Sequence, residues 1–175
     1  MAVDPARTFT PIHIAVLTVS DTRTAADDSS GDILAERVLG AGHKLAARAI
    51  VRDDADIIAA QLNAWIDDPA IDAVISTGGT GLTGRDVTPE ALDRVKTRDI
   101  PGFGELFRWI SFQTIGTSTI QSRACAVVAR GTYIFALPGS NGAVKDGWDG
   151  ILAEQLDSRN RPCNFIELMP RLREA

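Results

Sequence analysis

The sequence predicts an α/β fold: a three-layer α/β/α sandwich around a mostly parallel central sheet with a short antiparallel element. Two observations predict it. Apolar runs of strand length alternate with amphipathic segments along most of the chain, which is typical of a parallel sheet covered by helices. Two later apolar runs are separated only by Arg130-Gly131-Thr132, and this short connection indicates either a hairpin, which would be the antiparallel element, or a tight crossing.

Each element has its own signal. The segment from Asp54 to Asp67 is the clearest helix, because Ile58, Leu62 and Trp65 share one face. The proline-containing tail after Asp157 is expected to pack irregularly. The predicted strands are Ile12–Val19, Leu45–Val51, Ala73–Ser76, Ala124–Ala129 and Tyr133–Leu137. The predicted helices are Asp32–Leu39, Asp54–Asp67, Pro89–Lys96, Phe103–Phe112 and Ala143–Leu156.

Length and composition fit one globular domain. The chain has 175 residues, of which 45% are hydrophobic and 23% are charged, enough for a sizeable core. We expect an N-terminal extension over 1–11 and the domain itself over 12–157. A tail over 158–175 is expected to pack on the domain or on a neighbouring subunit.

Charge and cysteine content argue against several classes of protein. The net charge is −5 and no basic cluster occurs, so we expect no nucleic-acid partner. No apolar run approaches the ~20 residues that cross a bilayer, so we expect no membrane partner. Cys125 and Cys163 form neither a disulfide framework nor a CxxC metal motif, and the first residues lack the apolar segment of a signal peptide. We therefore expect a cytoplasmic protein.

The most informative segment is the glycine-rich stretch from Ser76 to Glu90, which follows an apolar run. A strand that leads into a glycine-rich turn exposes backbone N–H groups, and such a turn can bind a phosphate or another anion. Thr88 is a good N-cap and Pro89 a good first helical residue, so the next helix is predicted to start there. The segment predicts a ligand-binding loop.

Four loops are predicted to follow parallel strands and to carry turn or oxygen-bearing residues. In open α/β sheets, ligands bind beyond the carboxyl ends of the strands, so these loops are expected to form a single site. They are Ser20-Asp21, Arg52-Asp53-Asp54, Thr77 to Asp86, and Pro138-Gly139-Ser140.

Asp53 and Asp86 are the strongest candidates for catalytic carboxylates. Each closes a loop between a strand and a helix, and two carboxylates that face a polyphosphate suit Mg²⁺, which prefers hard oxygen ligands. The structural alternatives are that Asp53 or Asp54 only caps the next helix, and that Asp86 only forms an Asx-turn before Thr88.

The other polar candidates also have structural alternatives. Ser20 and Asp21 suit ligand contact or ordinary turn chemistry. Ser140 is expected to cap the last long helix, whose N-terminus would favour an anion. The pair Ser122-Arg123 could reach a phosphate or lie on the surface, and Lys145 is expected to be solvated.

Several other interpretations are set aside. Gly79-x-Gly81-x-x-Gly84 formally matches the dinucleotide fingerprint, but that motif belongs after the first strand with its last glycine already inside the helix. His13 and His43 have no nucleophilic partner nearby in the sequence, which argues against covalent acyl transfer. Asp27 and Asp28 are expected to be solvated loop charges.

Taken together, these motifs resemble the MoaB/MogA family of molybdenum cofactor biosynthesis proteins, over about residues 12 to 165. The end of the chain, from Leu156 to Phe165, and Gly116-Thr117-Ser118-Thr119 are similar to the MoaB branch. The motifs that carry the resemblance occur in the family's order: Val19-Ser20-Asp21, Thr77-Gly78-Gly79-Thr80-Gly81, Arg85-Asp86-Val87-Thr88-Pro89-Glu90-Ala91, Pro101-Gly102-Phe103-Gly104-Glu105, Ser122-Arg123-Ala124 and Leu137-Pro138-Gly139-Ser140.

The resemblance implies a specific activity. It implies Mg²⁺-dependent adenylyl transfer from ATP to the terminal phosphate of molybdopterin, which gives adenylylated molybdopterin and pyrophosphate. It implies a homo-oligomer, a trimer or a hexamer, and other molybdenum cofactor enzymes as possible partners. Asp53 and Asp86 match the family's functional aspartates and would hold Mg²⁺, directly or through water. The expected molybdopterin- and ATP-binding residues are Ser20, Asp21, Thr77, Gly78, Gly79, Thr80, Gly81, Ser122, Pro138, Gly139 and Ser140.

One departure and two alternatives go with this interpretation. Asn141 stands where related proteins often have proline, which affects the loop after Gly139. Some MoaB-type proteins have lost the Arg-Asp-x-Thr-Pro pattern, whereas this chain keeps Asp86 and Thr88. The alternatives are a non-catalytic molybdopterin-binding or assembly protein, and a nucleotide-processing enzyme similar to domains of competence-damage proteins.

Overall fold

The middle layer of the molecule is a six-stranded sheet, seen in a computed structural model that describes residues 3–174. Its strands are β1 (His13–Val19), β2 (Lys44–Val51), β3 (Ala73–Thr77), β4 (Arg98–Asp99), β5 (Cys125–Ala129) and β6 (Thr132–Leu137). The strand order is β2-β1-β3-β6-β5-β4. The first four strands in that order are parallel, whereas β5 runs antiparallel to both β6 and β4. The predicted fold class is confirmed.

Helices cover both faces of this sheet. They are α1 (Ser29–Gly40), α2 (Ala55–Ile66), α3 (Thr88–Val95), α4 (Pro101–Ile115), α5 (Asn141–Gly147), α6 (Ala153–Gln155) and α7 (Phe165–Leu168). Apolar side chains of α1, α4, α5 and α7 join the core on one face. Those of α2 and α3 join a second core on the other face.

Strand β1 shows why the sheet is central. Its side chains alternate between the two cores: Ile14 and Val16 join the first, and Ala15 and Leu17 join the second. All four are fully buried. Since both faces are covered, the strand reads as an unbroken apolar run, as expected for a parallel sheet between helices.

The structure departs from the sequence prediction in several elements. Strand β4 was not predicted, because it has only two residues and both are charged. A 3₁₀-helix over Gly116–Gln121 was not predicted either. The predicted last helix is interrupted by a π-helical segment, Trp148–Leu152, between α5 and α6. No helix among residues 3–174 is both long and apolar enough to cross a membrane.

The expectation that Asp28 is a solvated charge is wrong. Its side chain is fully buried and caps α1 by accepting a hydrogen bond from the N–H of Gly31 at 3.1 Å. Its carboxylate also accepts hydrogen bonds from the Thr18 hydroxyl at 2.7 Å and from the Arg48 guanidinium at 2.9 Å. These partners offset the cost of burial and hold the pKa of Asp28 below its ordinary value. Asp27, by contrast, is exposed as expected.

The tail after residue 157 packs on the domain and on the N-terminal segment. Ile166 lies in the first core, and the Tyr133 hydroxyl donates to the carbonyl of Phe165 at 3.1 Å. The N–H of Thr10 donates to the Ser158 hydroxyl at 2.8 Å, and Arg7 pairs with Glu167. The irregular packing expected of this tail is therefore interrupted by helix α7 and one 3₁₀ turn.

Candidate active site

The glycine-rich loop after β3 lies where parallel strands β1, β3 and β6 end. Gly78 has φ +106°, and a Cβ there would overlap the carbonyl oxygen of Val19 at the end of β1. Gly79 also has a positive φ, +65°. Only glycine accommodates both this backbone conformation and so close an approach between the loop backbone and the end of β1. The glycines therefore let the loop lie directly over the strand ends.

Thr88 fixes the shape of this loop, and the predicted N-cap role of its side chain is wrong. The N-cap position belongs to Val87, whose side chain makes no capping hydrogen bond, and Thr88 is the first residue of α3. The Thr88 hydroxyl donates to the carbonyl of Gly78 at 2.9 Å, and its N–H donates to the carbonyl of Gly79 at 3.0 Å. The residue ties the start of the helix to the loop, which was not foreseen from the usual preference of threonine for N-caps.

The two candidate aspartates lie against the same loop. A Cβ on Gly79 would lie 2.8 Å from a carboxylate oxygen of Asp53. A Cβ on Gly81 would lie 2.7 Å from a carboxylate oxygen of Asp86. The acids come from loops that are far apart in the sequence, and the fold brings both to the glycine segment. The cap of helix α2 is Asp54, whose carboxylate accepts from the N–H of Asp56 at 2.8 Å, so Asp53 is free of that role.

The two aspartates differ in how their charge is stabilised. Burial raises the pKa of Asp53, and the nearby carboxylates of Asp21 and Asp86 raise it further. The Thr83 hydroxyl, which donates to Asp86 at 2.6 Å, holds the pKa of Asp86 below its ordinary value. The Asx-turn before Thr88 does not form, because the Asp86 carboxylate accepts from Thr83, three residues earlier, and the N–H of Thr88 donates to Gly79 instead. Asp86 also remains a charged neighbour of Asp53. The site holds excess negative charge that a cation would compensate.

Replacing Asp53 with asparagine is expected to stabilise the metal-free protein. A raised carboxyl pKa means that the folded state binds the proton more tightly than the unfolded state. Stability is therefore lost as the pH rises from the ordinary pKa of Asp through the raised one, and at neutral pH the charge costs free energy. We expect the melting temperature at pH 7 to rise by about 1–3 °C in Asp53→Asn.

Scanning calorimetry in EDTA and in Mg²⁺ checks this expectation. Asp54→Asn is the matched control, because it keeps a capping side chain next in sequence and should show no such gain. Added Mg²⁺ should stabilise the original protein more than the Asp53→Asn variant. A variant that melts below the original protein in EDTA would contradict this electrostatic interpretation.

The residues present fit a magnesium ion that shares its ligands with a substrate. Among residues 3–174, no three His, Cys, Asp or Glu side chains converge closely enough to hold a metal by themselves. Mg²⁺ does not need such a cluster, because it commonly takes one or two carboxylates together with substrate phosphates and waters. Asp53 is half-buried, and within the described part of the chain its carboxylate accepts a hydrogen bond from the backbone of Asp21 but none from a side chain, so most of its acceptor capacity is available to a metal ion.

Arg123 holds the glycine loop from the other side. Its N–H donates to the carbonyl of Thr80 at 2.9 Å, and its Nε donates to the carbonyl of Gly81 at 2.7 Å. The guanidinium also donates to the carbonyl of Asp86 and pairs with Glu90. Sequence reasoning offered a phosphate ligand or a surface charge and missed this role, because the partners are mostly backbone carbonyls.

A cavity of about 290 Å³ opens beside this loop. It lies between the loop, helix α4, the 3₁₀-helix and the start of α5. The predicted residues that line it are Thr80, Gly81, Ser122, Pro138 and Ser140. It is also lined by residues that sequence reasoning did not select, among them Phe107, Ser111, Gln121 and Asp146.

A second cavity, of about 580 Å³, opens at the ends of β1 and β2. Ser20 and Asp21 line it together with Arg23, Arg48 and Arg52. The Ser20 hydroxyl accepts from the N–H of Arg23 at 3.2 Å, which is the expected turn chemistry. Thr80 and Gly81 of the glycine loop line the first cavity, whereas no residue of that loop lines the second.

The remaining predicted residues have mainly structural contacts. The buried Thr77 hydroxyl donates to the carbonyl of Pro138 at 3.1 Å. Gly139 lies against Gly78, and Arg23 donates to its carbonyl at 2.9 Å. Ser140 caps α5 as predicted, by accepting from the N–H of Ala143 at 3.2 Å. These contacts join the loop after β6 to the glycine loop, and ligand binding by these residues stays a prediction.

The fold and this loop arrangement define a class of protein. The sequence family described as "Probable molybdopterin binding domain" matches residues 15–158. This match covers most of the chain, so the chain belongs to that family, on its MoaB side.

Individual relatives agree with this assignment. The chain is 51% identical to molybdenum cofactor biosynthesis protein B of Escherichia coli (strain K12) over 157 residues, which is 90% of this chain and 92% of the relative. A crystal structure of a molybdenum cofactor biosynthesis protein B superposes with a TM-score of 0.86 at 34% identity, covering 97% of this chain and all of that one. The tungsten cofactor synthesizing protein MoaB from Pyrococcus furiosus superposes with a TM-score of 0.76 at 32% identity, over 94% of this chain and 98% of that one.

Proposed function

We propose that this protein acts in molybdenum cofactor biosynthesis and transfers the adenylyl group of ATP to the terminal phosphate of molybdopterin. The observation that carries the proposal is the position of Asp53 and Asp86, which lie against one glycine loop that also lines the 290 Å³ cavity. An oxygen of the molybdopterin phosphate forms a bond to the α-phosphorus of ATP. The bond between the α- and β-phosphates breaks, and pyrophosphate leaves.

The protein's own contribution is positioning and charge neutralisation, which dominate phosphoryl-type transfer. Asp53 and Asp86 would hold Mg²⁺, and the ion when bound supplies positive charge to the phosphate oxygens. In the described part of the chain, the N–H groups of Gly79 and Thr80 have no hydrogen-bond acceptor, so they are available to phosphate oxygens. Arg123 and Thr88 keep this loop in shape. No covalent intermediate with the protein is needed.

The test is an assay of pyrophosphate release from ATP. We expect release only when molybdopterin, ATP and Mg²⁺ are all present, with one adenylylated molybdopterin formed per pyrophosphate. Tight molybdopterin binding without turnover would favour a non-catalytic assembly protein instead. Pyrophosphate release that does not depend on molybdopterin would favour a nucleotide-processing enzyme.

We also propose that the protein forms a homo-oligomer through the outer side of α4. Large apolar side chains are exposed there and on the following 3₁₀-helix. They are Leu106, Trp109, Phe112, Ile115 and Ile120. A contiguous exposed apolar surface usually marks an interaction site. Ile115 also lines the 290 Å³ cavity, so an interface at this surface would lie next to the site.

Replacing Trp109 with glutamate is expected to dissociate this oligomer. Trp109 is 64% exposed in the single chain, and a charge buried in an apolar interface without a partner is costly. Light scattering coupled to size exclusion should show monomers for the variant and a trimer or hexamer for the original protein. Leu39→Glu is the matched control, because Leu39 is similarly exposed (57%) but lies on α1 and should leave the oligomer intact. An unchanged mass for Trp109→Glu would place the interface elsewhere.

A further inference from the structure

Asp146 is a carboxylate on the wall of the 290 Å³ cavity that the mechanism does not use. It lies on α5 and is half-buried. Within residues 3–174, its one hydrogen bond comes from the Ser111 hydroxyl of α4, at the long distance of 3.4 Å. Asp149 follows one turn later and differs: Arg37 holds both of its oxygens, at 2.8 and 3.0 Å. Asp146 therefore keeps most of its acceptor capacity.

The rest of the cavity wall suits a flat heterocycle. Apolar atoms of Phe107, Ile115 and Ala143 line it, and they can pack against a ring. Thr80 and Gly81 of the glycine loop line the same cavity. The buried Thr80 hydroxyl has no partner among the described residues, so the loop side of the cavity also has unused hydrogen-bonding capacity. A ligand in this cavity would contact both Asp146 and the loop.

We propose that Asp146 determines which heterocycle binds, by recognising a 2-amino-4-oxopyrimidine ring. Such a ring presents a ring N–H and an exocyclic amine side by side. These two parallel donors match the two oxygens of one carboxylate, as in other bidentate pairs. The proposal rests on the proposed function, in which the ring is the pterin of molybdopterin. Guanine carries the same donor pair, so the test separates the two.

The test is a binding titration that needs neither ATP nor turnover. The probes are 6-hydroxymethylpterin, its lumazine analogue with a 2-oxo group in place of the amine, and guanosine. Asparagine offers one acceptor and one donor, which match lumazine rather than pterin. We expect the original protein to prefer pterin over lumazine by about tenfold or more, and Asp146→Asn to reverse that preference. Asp149→Asn is the matched control and should leave it unchanged.

Each outcome decides the proposal. Equal affinity of the original protein for pterin and lumazine would overturn it without any variant. An unchanged ratio of pterin affinity to lumazine affinity in Asp146→Asn would also overturn it. If Asp146 had only a structural role, the substitution would weaken the binding of both probes equally. Guanosine that binds as tightly as pterin would overturn the assignment to a pterin. If the preference reverses but no pyrophosphate is released from ATP, the ring recognition stands and the proposed function fails.

Discussion

Asp86→Asn is expected to lower molybdopterin-dependent pyrophosphate release by roughly 10³-fold, the scale on which a lost electrostatic contact to the reacting group acts. The Asp86 carboxylate lies against Gly81 and next to Asp53. Asparagine keeps the size of the side chain and one acceptor for the N–H of Thr83, which now donates to Asp86 at 2.8 Å. The variant thus removes the negative charge that would hold Mg²⁺ while keeping the turn.

The same substitution has a smaller effect on stability, of opposite sign to that at Asp53. Because the pKa of Asp86 is depressed, its charge contributes stability that is present above the ordinary pKa of Asp and is lost as the pH falls through the depressed one. The variant lacks the stabilising charge of Asp86, so its melting temperature at pH 7 should fall slightly. Circular dichroism should show an intact fold.

Asp93→Asn is the control for Asp86→Asn, because Asp93 is an exposed acid on α3 that pairs with Lys96 away from the loop. It should retain full activity. If Asp86→Asn released pyrophosphate at the original rate, this carboxylate would have no role in catalysis, and the result would contradict the proposed mechanism.

Gly78→Ala is expected to lower the free energy of unfolding by about 3 kcal/mol or more, because it combines a steric clash with backbone strain. The added methyl group would overlap the Val19 carbonyl oxygen, which is backbone and cannot turn away. The residue would also have to keep a φ of +106°, which is strained for alanine. Relief would require the glycine loop to leave the end of β1, so activity should be lost as well.

Gly84→Ala in the same loop is the matched control. Gly84 has no atom near its missing Cβ, and its φ lies outside the positive range. Its substitution should change the free energy of unfolding by less than about 0.5 kcal/mol. Urea unfolding of both variants measures the difference. Equal stabilities would mean that the loop does not lie directly over the end of β1.

Much of the fold was predictable because its signals are local. The strands are long apolar runs, and helix ends are marked in the ordinary way by Gly42, whose φ is +89° just after the C-cap of α1, and by the acid before α2. The site was predictable for a different reason. Parallel strands end at the same edge, so loops distant in sequence, such as those of Asp53 and Asp86, had to approach one another.

What the sequence could not reveal depends on contacts between distant segments. The local sequence predicts that Asp28 is a solvated loop charge, whereas in the fold Thr18 and Arg48 donate hydrogen bonds to its buried carboxylate. Thr88 is a residue type that favours the N-cap, yet its hydroxyl donates a hydrogen bond to the carbonyl of Gly78. Asp146 carries no sequence signal at all, because its significance comes only from the cavity that α4 and α5 enclose with the loop. Tertiary packing, rather than local preference, decides these roles.

The central claim is that Asp53 and Asp86 together recruit a magnesium-bound triphosphate to the glycine loop. Calorimetric titration of ATP into the protein, with and without Mg²⁺, tests it most directly, with the Asp53→Asn/Asp86→Asn double variant alongside. We predict that Mg²⁺ strengthens ATP binding at least tenfold in the original protein, a difference of about 1.4 kcal/mol, and has no such effect in the double variant. Equal gains from Mg²⁺ in both proteins, or none in the original, would contradict the account.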